Sequence, residues 1–352
     1  MTSRMMQPNV LTILASYRCT AACAHCCFDS NPAIKERLAF EEIRDFISEA
    51  AQLSPLDVVV FSGGECFLLG DDLVRAIRHC SDLHLRTRCV TNAYWAPHRA
   101  AAERRLKPLQ DVGLGELNVS TGDFHSRYVP VDNVIVATVT AVDLGLSNTL
   151  IVVELQKERQ ITRALLTEDP NIRRCLALGE DRFKIIESPW MPMDLSASVP
   201  QPDEVLVNRR NVHLRTGCAS MGSTLVLTPH RRVGFCCGLT REKIPELNAR
   251  WNPGELSEVT SQAGSDFMKI WLAVDGPERI LAWAATKDES IEWENRYAHH
   301  CHACLALYSD EKVRDVIREH YMERVDDVLL RYSTMVHLQQ LRTAAHHSSP
   351  AA

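Results

Sequence analysis

Between residues 10 and 188, short apolar runs alternate with amphipathic stretches, and this rhythm confines the first half of the chain to a βα-repeat architecture. The runs Val10–Ala15, Asp57–Phe61, Leu85–Thr91, Glu116–Ser120, Thr149–Glu154 and Phe183–Glu187 have the length and composition of strands. Phe40–Gln52, Leu73–Cys80, His98–Leu109 and Asp132–Leu144 have helical spacing. Six such units predict an α/β fold, a partial (β/α)6 TIM-like barrel over about residues 1–200, with its site at the C-terminal ends of the strands. Periodicity alone leaves a doubly wound sheet open.

The loop after the first strand reads Tyr17-Arg-Cys-Thr-Ala-Ala-Cys-Ala-His-Cys-Cys-Phe28. Cys19, Cys23 and Cys26 bring three thiolates together without a fourth at a conventional spacing. Four cysteines close a [4Fe–4S] cluster, whereas three leave one iron open for a ligand. The positions also fit a helical face at i, i+4 and i+7, but the segment follows a strand and reads as a loop. Cys27 is read as a packing residue or a neighbouring thiol.

A second motif, Phe61-Ser-Gly-Gly-Glu-Cys66, follows the second strand. Together, Cys-x3-Cys-x2-Cys and Gly-Gly-Glu resemble the radical S-adenosylmethionine (SAM) superfamily. The resemblance implies SAM chelated to the open iron, with Gly63, Gly64 and Glu65 at its amino group. Gly63 and Gly64 permit close backbone approach, and Glu65 offers a carboxylate to an ammonium. Cys66 stands where the family commonly has proline. Val90-Thr-Asn-Ala-Tyr-Trp95 resembles a Thr-Asn-Gly turn, which puts Asn92 at the site with Ala93 in place of glycine. Ser120 and Asp123, in Asn118-Val-Ser-Thr-Gly-Asp-Phe-His125, resemble the region near the SAM ribose; the alternative is a turn capping the next helix. His125 is read either as orienting substrate or exchanging a proton, or as a surface histidine. The fifth strand is implied at the adenine, with Glu154 turned into the cavity.

Thirteen cysteines in clusters, with no secretion-signal architecture at the N-terminus, point to metal ligation in a cytoplasmic protein. No window approaches a membrane span, and a formal net charge of -6 gives no bulk attraction for nucleic acid.

Beyond about residue 195 the rhythm stops, and Pro200, Pro202, Asp203 and Glu204 read as a linker. Within 205–308, Cys218 and Cys236, then Cys301-His-Ala-Cys304, supply four thiolates for one closed site. Thr224–Thr228 and Arg232–Phe235 read as a hairpin carrying Cys236. The region resembles the short "twitch" form of the SPASM-type auxiliary-cluster domain, which implies a second [4Fe–4S] cluster; a four-cysteine zinc site is the competing reading. Cys237 is an alternative ligand or a nearby thiol, and His299, His300 and His302 are read as solvated or as neighbours of the ligands. Residues 309–345 predict a helix with an apolar stripe, and 346–352 a disordered tail.

By resemblance the function is hydrogen abstraction from a substrate carbon by a deoxyadenosyl radical. A ribosomally made peptide is the first substrate class, and an aminocyclitol or sugar the second. Cys66 and Cys237 are candidate hydrogen donors, alongside Cys27 and Cys89. An electron donor such as flavodoxin or ferredoxin is expected. Only eighteen residues precede Cys19, so a separate leader-peptide recognition protein is expected for a peptide substrate. The non-enzymatic alternative is an iron–sulfur electron carrier.

Overall fold

The computed structural model describes residues 8–53, 56–189, 200–237 and 243–348. Its first half contains β1 (Val10–Leu14), α1 (Phe40–Leu53), β2 (Val58–Ser62), α2 (Asp71–Asp82), β3 (Arg86–Thr91), α3 (Arg99–Asp111), β4 (Glu116–Thr121), α4 (Val131–Asp143), β5 (Asn148–Leu155), α5 (Arg163–Glu168), α6 (Pro170–Leu176) and β6 (Phe183–Pro189). The strands β1 to β6 lie side by side in chain order, every neighbouring pair parallel. A doubly wound sheet reverses its order at a switch point, and these six strands have no reversal. The first half is therefore a partial (β/α)6 barrel.

Period-2 alternation explains how the strands divide their side chains. Leu11, Ile13, Val59, Phe61, Leu117 and Val119 pack outward under the helices in one core. Their neighbours Thr12, Leu14, Val60, Ser62 and Ser120 line a cavity inside the curve. Buried apolar area of this kind contributes roughly 25 cal/mol per Å², and the sheet–helix interface is where it accumulates.

The second half comprises β7 (Thr224–Leu227), β8 (Arg232–Gly234), β9 (Asn248–Arg250), α7 (Leu256–Gly264), α8 (Phe267–Ala284), α9 (His300–Ser309), α10 (Glu311–His320) and α11 (Met322–Ser348). The expected hairpin is present as antiparallel β7 and β8, but it does not stand apart. β7 pairs in parallel with β1, so the hairpin and β9 extend the barrel sheet to nine strands. Leu225, Leu227, Val233, Phe235 and Trp251 join the first core, with Trp251 edge-on to Phe46 of α1 at 5.0 Å. The cores therefore divide the chain differently from a cut at residue 205. A second core, formed by Val207, Met221, Ile270, Trp271, Leu281 and their neighbours, takes in Cys27 from the first cysteine loop.

The expected C-terminal helix is two helices that meet at Tyr321, and α11 continues through residues 346–348 of the expected tail. Residues 190–199 and 349–352 lie outside the described residues, while the expected linker at Pro200, Pro202, Asp203 and Glu204 is described and carries a 3-10 turn at Asp203–Val205. Asp275 of α8 ties α11 down: its buried carboxylate accepts from Trp271 Nε1 at 2.9 Å and from Arg331 at 2.8 Å.

Candidate functional site

The loop between β1 and α1 presents Cys19, Cys23 and Cys26 to a cavity of about 270 Å³ at the C-terminal ends of β1 to β4. Burial pushes the Cys19 thiol up to about 11 and the Cys23 thiol up to about 12. Each is raised further by the charge of its cysteine neighbours, so three thiolates here require a cation among them. This donor set fits an iron–sulfur cluster. The Ser30 N–H donates to Cys26 Sγ at 3.4 Å, and Asn92 Nδ2 to Cys19 Sγ at 3.5 Å, so the sulfurs already sit among donors that favour charge.

Gly63 and Gly64 line the cavity. Their close approach is first to protein: a Cβ on Gly63, where φ is +117°, would lie 2.4 Å from the Ser16 carbonyl oxygen, and one on Gly64 would lie 2.0 Å from that of Arg18. The Gly64 and Glu65 N–H groups donate to those same carbonyls at 2.8 and 2.9 Å. The two glycines thus lock the β2 end against the cysteine loop.

Glu65 sits behind them, outside the cavity lining. Its Oε1 accepts from Phe67 N at 3.0 Å and Thr91 Oγ1 at 2.9 Å, and its Oε2 accepts from Asn92 N at 2.9 Å. Burial raises its pKa to about 7 against these bonds. A carboxylate has about four lone-pair sites, so these three bonds do not use up its capacity to accept. Asn92 and Ser120 line the cavity. Asn92 Nδ2 also bonds Thr20 Oγ1 at 3.1 Å, and Ala93 adopts φ +63°, which explains why glycine suits that turn.

Two expected ligand contacts are redirected. Asp123 turns to the loop after β5, accepting from Gln160 N at 2.9 Å and Ile161 N at 2.8 Å, and so braces that loop and is not in the cavity lining. Glu154 is 2% exposed and is not in the lining either. It accepts from Phe124 N at 3.0 Å and bonds His125 Nδ1, while His25 Nε2 lies 3.1 Å away. Burial would raise its pKa, but these imidazoles outweigh burial and hold it at about 2. His25 is itself pushed below the usual imidazole range by burial, so a neutral ring beside a carboxylate describes the pair better than two full charges. A Cβ on Gly122 would lie 2.4 Å from the Glu154 carboxylate, which makes that position glycine.

His25 was not anticipated as a site residue, and it lines the cavity with His125 while stacking on Phe124 at 4.5 Å. Its position between Cys23 and Cys26, two of the expected ligands, was the available signal. The ligand atoms of His25, His125 and Glu154 lie within 4.8 Å of one another. Glu154 is already bonded by His125 and the backbone, so a hydrogen-bonded cluster accounts for them.

Cys66 is placed in the core. Its thiol donates to the Val90 carbonyl at 3.2 Å, and it is absent from the cavity lining. Cys237 does line the cavity, beside Cys26 and Cys27, and its Sγ is 4.0 Å from that of Cys301.

Cys218, Cys236, Cys301 and Cys304 gather in or against the second core. Burial raises the Cys218 thiol to about 11, and Cys304 far above the ordinary range, with Cys236, Cys218 and Cys237 adding their charge. These four thiols in one apolar place, none in a disulfide, fit a cation site as the first three do. His299 caps α9, its Nδ1 accepting from Cys301 N at 3.1 Å, and His300 bonds buried Glu278 at 2.7 Å. Gly276 and Pro277 break α8, with Gly276 at φ +74°. Pro277 has no N–H to offer the Ala273 carbonyl, and one residue earlier the Leu272 carbonyl accepts from Cys218 N–H at 2.9 Å. The Gly-Pro pair inside an apolar helix was the missed signal for how Cys218 is placed.

Residues 13–138 match the family model described as "Radical SAM superfamily". YydG of Bacillus subtilis (strain 168), named for peptide biosynthesis, is 26% identical over 124 residues, 35% of this chain and 39% of that protein. A PqqA peptide cyclase of Rhodopseudomonas palustris (strain ATCC BAA-98 / CGA009) is 32% identical over 117 residues, 32% of this chain and 28% of that protein. The matches thus span well under half the length of these curated relatives. The solved structure of Streptococcus suis SuiB bound to precursor peptide SuiA aligns with TM-score 0.49 at 14% identity, covering 77% of this chain and 65% of that one. No described helix is long and apolar enough to cross a membrane. On the match over residues 13–138, which carry the cysteine triad and the Gly63–Gly64 pair gathered at one cavity, this part of the chain belongs to the radical SAM superfamily.

Proposed function

We propose that the chain is a radical SAM enzyme that abstracts hydrogen from a carbon of a ribosomally made peptide. The observation that carries this reading is the convergence of Cys19, Cys23, Cys26, Gly63, Gly64, Asn92 and Ser120 on one cavity. The three cysteines would hold a [4Fe–4S] cluster with one open iron, and the glycines, Asn92 and Ser120 would bind SAM beside it. When bound, this pair supplies a 5'-deoxyadenosyl radical able to take a hydrogen atom from an unactivated carbon. Glu65 fixes the Thr91–Asn92 turn, Asn92 and Ser120 offer hydrogen bonds, and the apolar walls formed by Leu14, Val60 and Val90 exclude water. Cys218, Cys236, Cys301 and Cys304 would hold a second [4Fe–4S] cluster. The peptide class is supported by the names of the two curated relatives.

Cys237 faces the same cavity and is the donor we assign to a returned hydrogen atom. Its S–H bond would break homolytically as a C–H bond forms on the substrate radical, giving an epimer; a thiyl then remains, to be restored by one electron and one proton. In D2O the product should carry one solvent deuterium at the attacked carbon, and Cys237→Ala should yield no epimer.

The reaction is tested with a carbon-deuterated peptide, SAM and reduced flavodoxin under anaerobic conditions. Deuterium should appear in 5'-deoxyadenosine. Peptide turnover without that transfer would defeat hydrogen abstraction, and transfer from an aminocyclitol but from no peptide would defeat the substrate class. Electron exchange with no SAM cleavage at all would leave only an electron carrier.

A further inference from the structure

The segment around Cys218 walls a second opening, a groove of about 590 Å³ between residues 213–223, α8 and α11. It shares no lining residue with the cavity of the first cysteine triad. Its lining holds His213, Arg215 and Arg279 and no carboxylate, in a chain of formal net charge -6. Arg215 donates to the Val205 carbonyl at 2.9 Å, a bond that leaves its charge in place, and Arg279 reaches Asp275 only at 4.0 Å. Leu214 stands on the rim, 71% exposed.

Cys218 itself lines the groove. Gly217 lies so close to α8 that a Cβ on it would be 1.9 Å from the Ala273 carbonyl oxygen. On the other side of the same thiol group, Cys237 lines the reaction cavity and approaches Cys301. The second cysteine site therefore lies between the reaction cavity and an outer, basic, partly apolar surface.

We propose that this groove docks an acidic one-electron carrier protein, which exchanges an electron with the second cysteine site past Cys218. The inference rests on reading Cys218, Cys236, Cys301 and Cys304 as an iron–sulfur site. One electron passes and no bond is made or broken: the carrier gains what the site loses, or the reverse. Charge complementarity selects an acidic partner and speeds its encounter, and the exposed leucine supplies an apolar anchor. An acidic peptide would satisfy the same arginines, but it has no use for a cluster thiolate in the wall. Docking outside the cavity also leaves the substrate entrance clear.

The test uses the reconstituted full chain and a strongly acidic flavodoxin. Calorimetry should detect binding that weakens as salt rises. Arg215→Glu with Arg279→Glu should raise Kd about tenfold or more, and so, in a separate variant, should Leu214→Asp. In a chain with Cys19, Cys23 and Cys26 all changed to Ala, stopped-flow oxidation of reduced flavodoxin by the remaining site should slow by a similar factor when the arginines are reversed. Unchanged affinity and rate, with iron content and far-UV circular dichroism retained, would overturn the docking surface. Loss of binding to a poly-glutamate peptide, with flavodoxin affinity unchanged, would overturn it in favour of a peptide groove. Zinc in place of iron at the second site would remove the premise, and metal analysis separates that failure from the other two.

Discussion

At the scale of single residues, the carboxylates near the site do different work from what their positions in the sequence suggest. Glu65 is the informative case. Its folded pKa of about 7 lies above the ordinary 4.5 because of burial, so its contribution to stability is fully present below about pH 4.5 and is lost as pH rises through 7. Across that window the metal-free protein should lose about 3 kcal/mol relative to E65Q. Urea unfolding of both proteins at pH 4.5, 6 and 8 measures this, and a constant difference would refute it. Gly64 offers a steric test. G64A would place a methyl 2.0 Å from the Arg18 carbonyl oxygen and should cost about 3 kcal/mol, read from the same unfolding curves. The residue types at Cys19, Cys23, Cys26, Gly63 and Gly64 were legible because their spacing carries the chemistry. The directions of Asp123 and Glu154 were not, because each is set by partners at least 29 residues away, Gln160 and Ile161 for one and His25 and His125 for the other.

At the scale of elements, the six strands and the first four helices fall within a few residues of their expected limits. Period-2 alternation and helical spacing are local signals, and the parallel sheet buries both strand faces. The short helices α5 and α6 carry too few turns for such a signal. The pairing of β7 with β1 was illegible for another reason: it joins segments far apart in the chain, and β7 reads equally well as half of an isolated hairpin. The α8–α11 contact supplies a prediction at this scale. Asp275 is 4% exposed and joins Trp271 to Arg331 and Arg324, so D275N should destabilise the protein by about 3 kcal/mol. Urea unfolding checks the magnitude, and proteolysis of α11 should quicken in parallel.

At the scale of the whole molecule, two cysteine sets meet across one sheet and two cores. Cys26 faces the cavity, while Cys27, its neighbour, packs in the second core with Cys236 and Cys304. Anaerobic reconstitution should therefore give about eight irons per chain, and about four after replacing Cys19, Cys23 and Cys26 or, separately, Cys218, Cys236, Cys301 and Cys304. Elemental analysis that finds four irons and one zinc in the unaltered chain would refute the two-cluster reading.

The pairing of β1 with β7 has a consequence for synthesis. Thr224 leaves the ribosome 210 residues after Leu14, so at about 5 to 20 residues per second one edge of the first strand waits about 10 to 40 s for its partner. During that interval Leu11 and Ile13 belong to a strand with an open row of backbone donors and acceptors, the template on which nascent chains aggregate. Expression yield should then depend on chaperone supply and translation speed, apart from any shortage of iron.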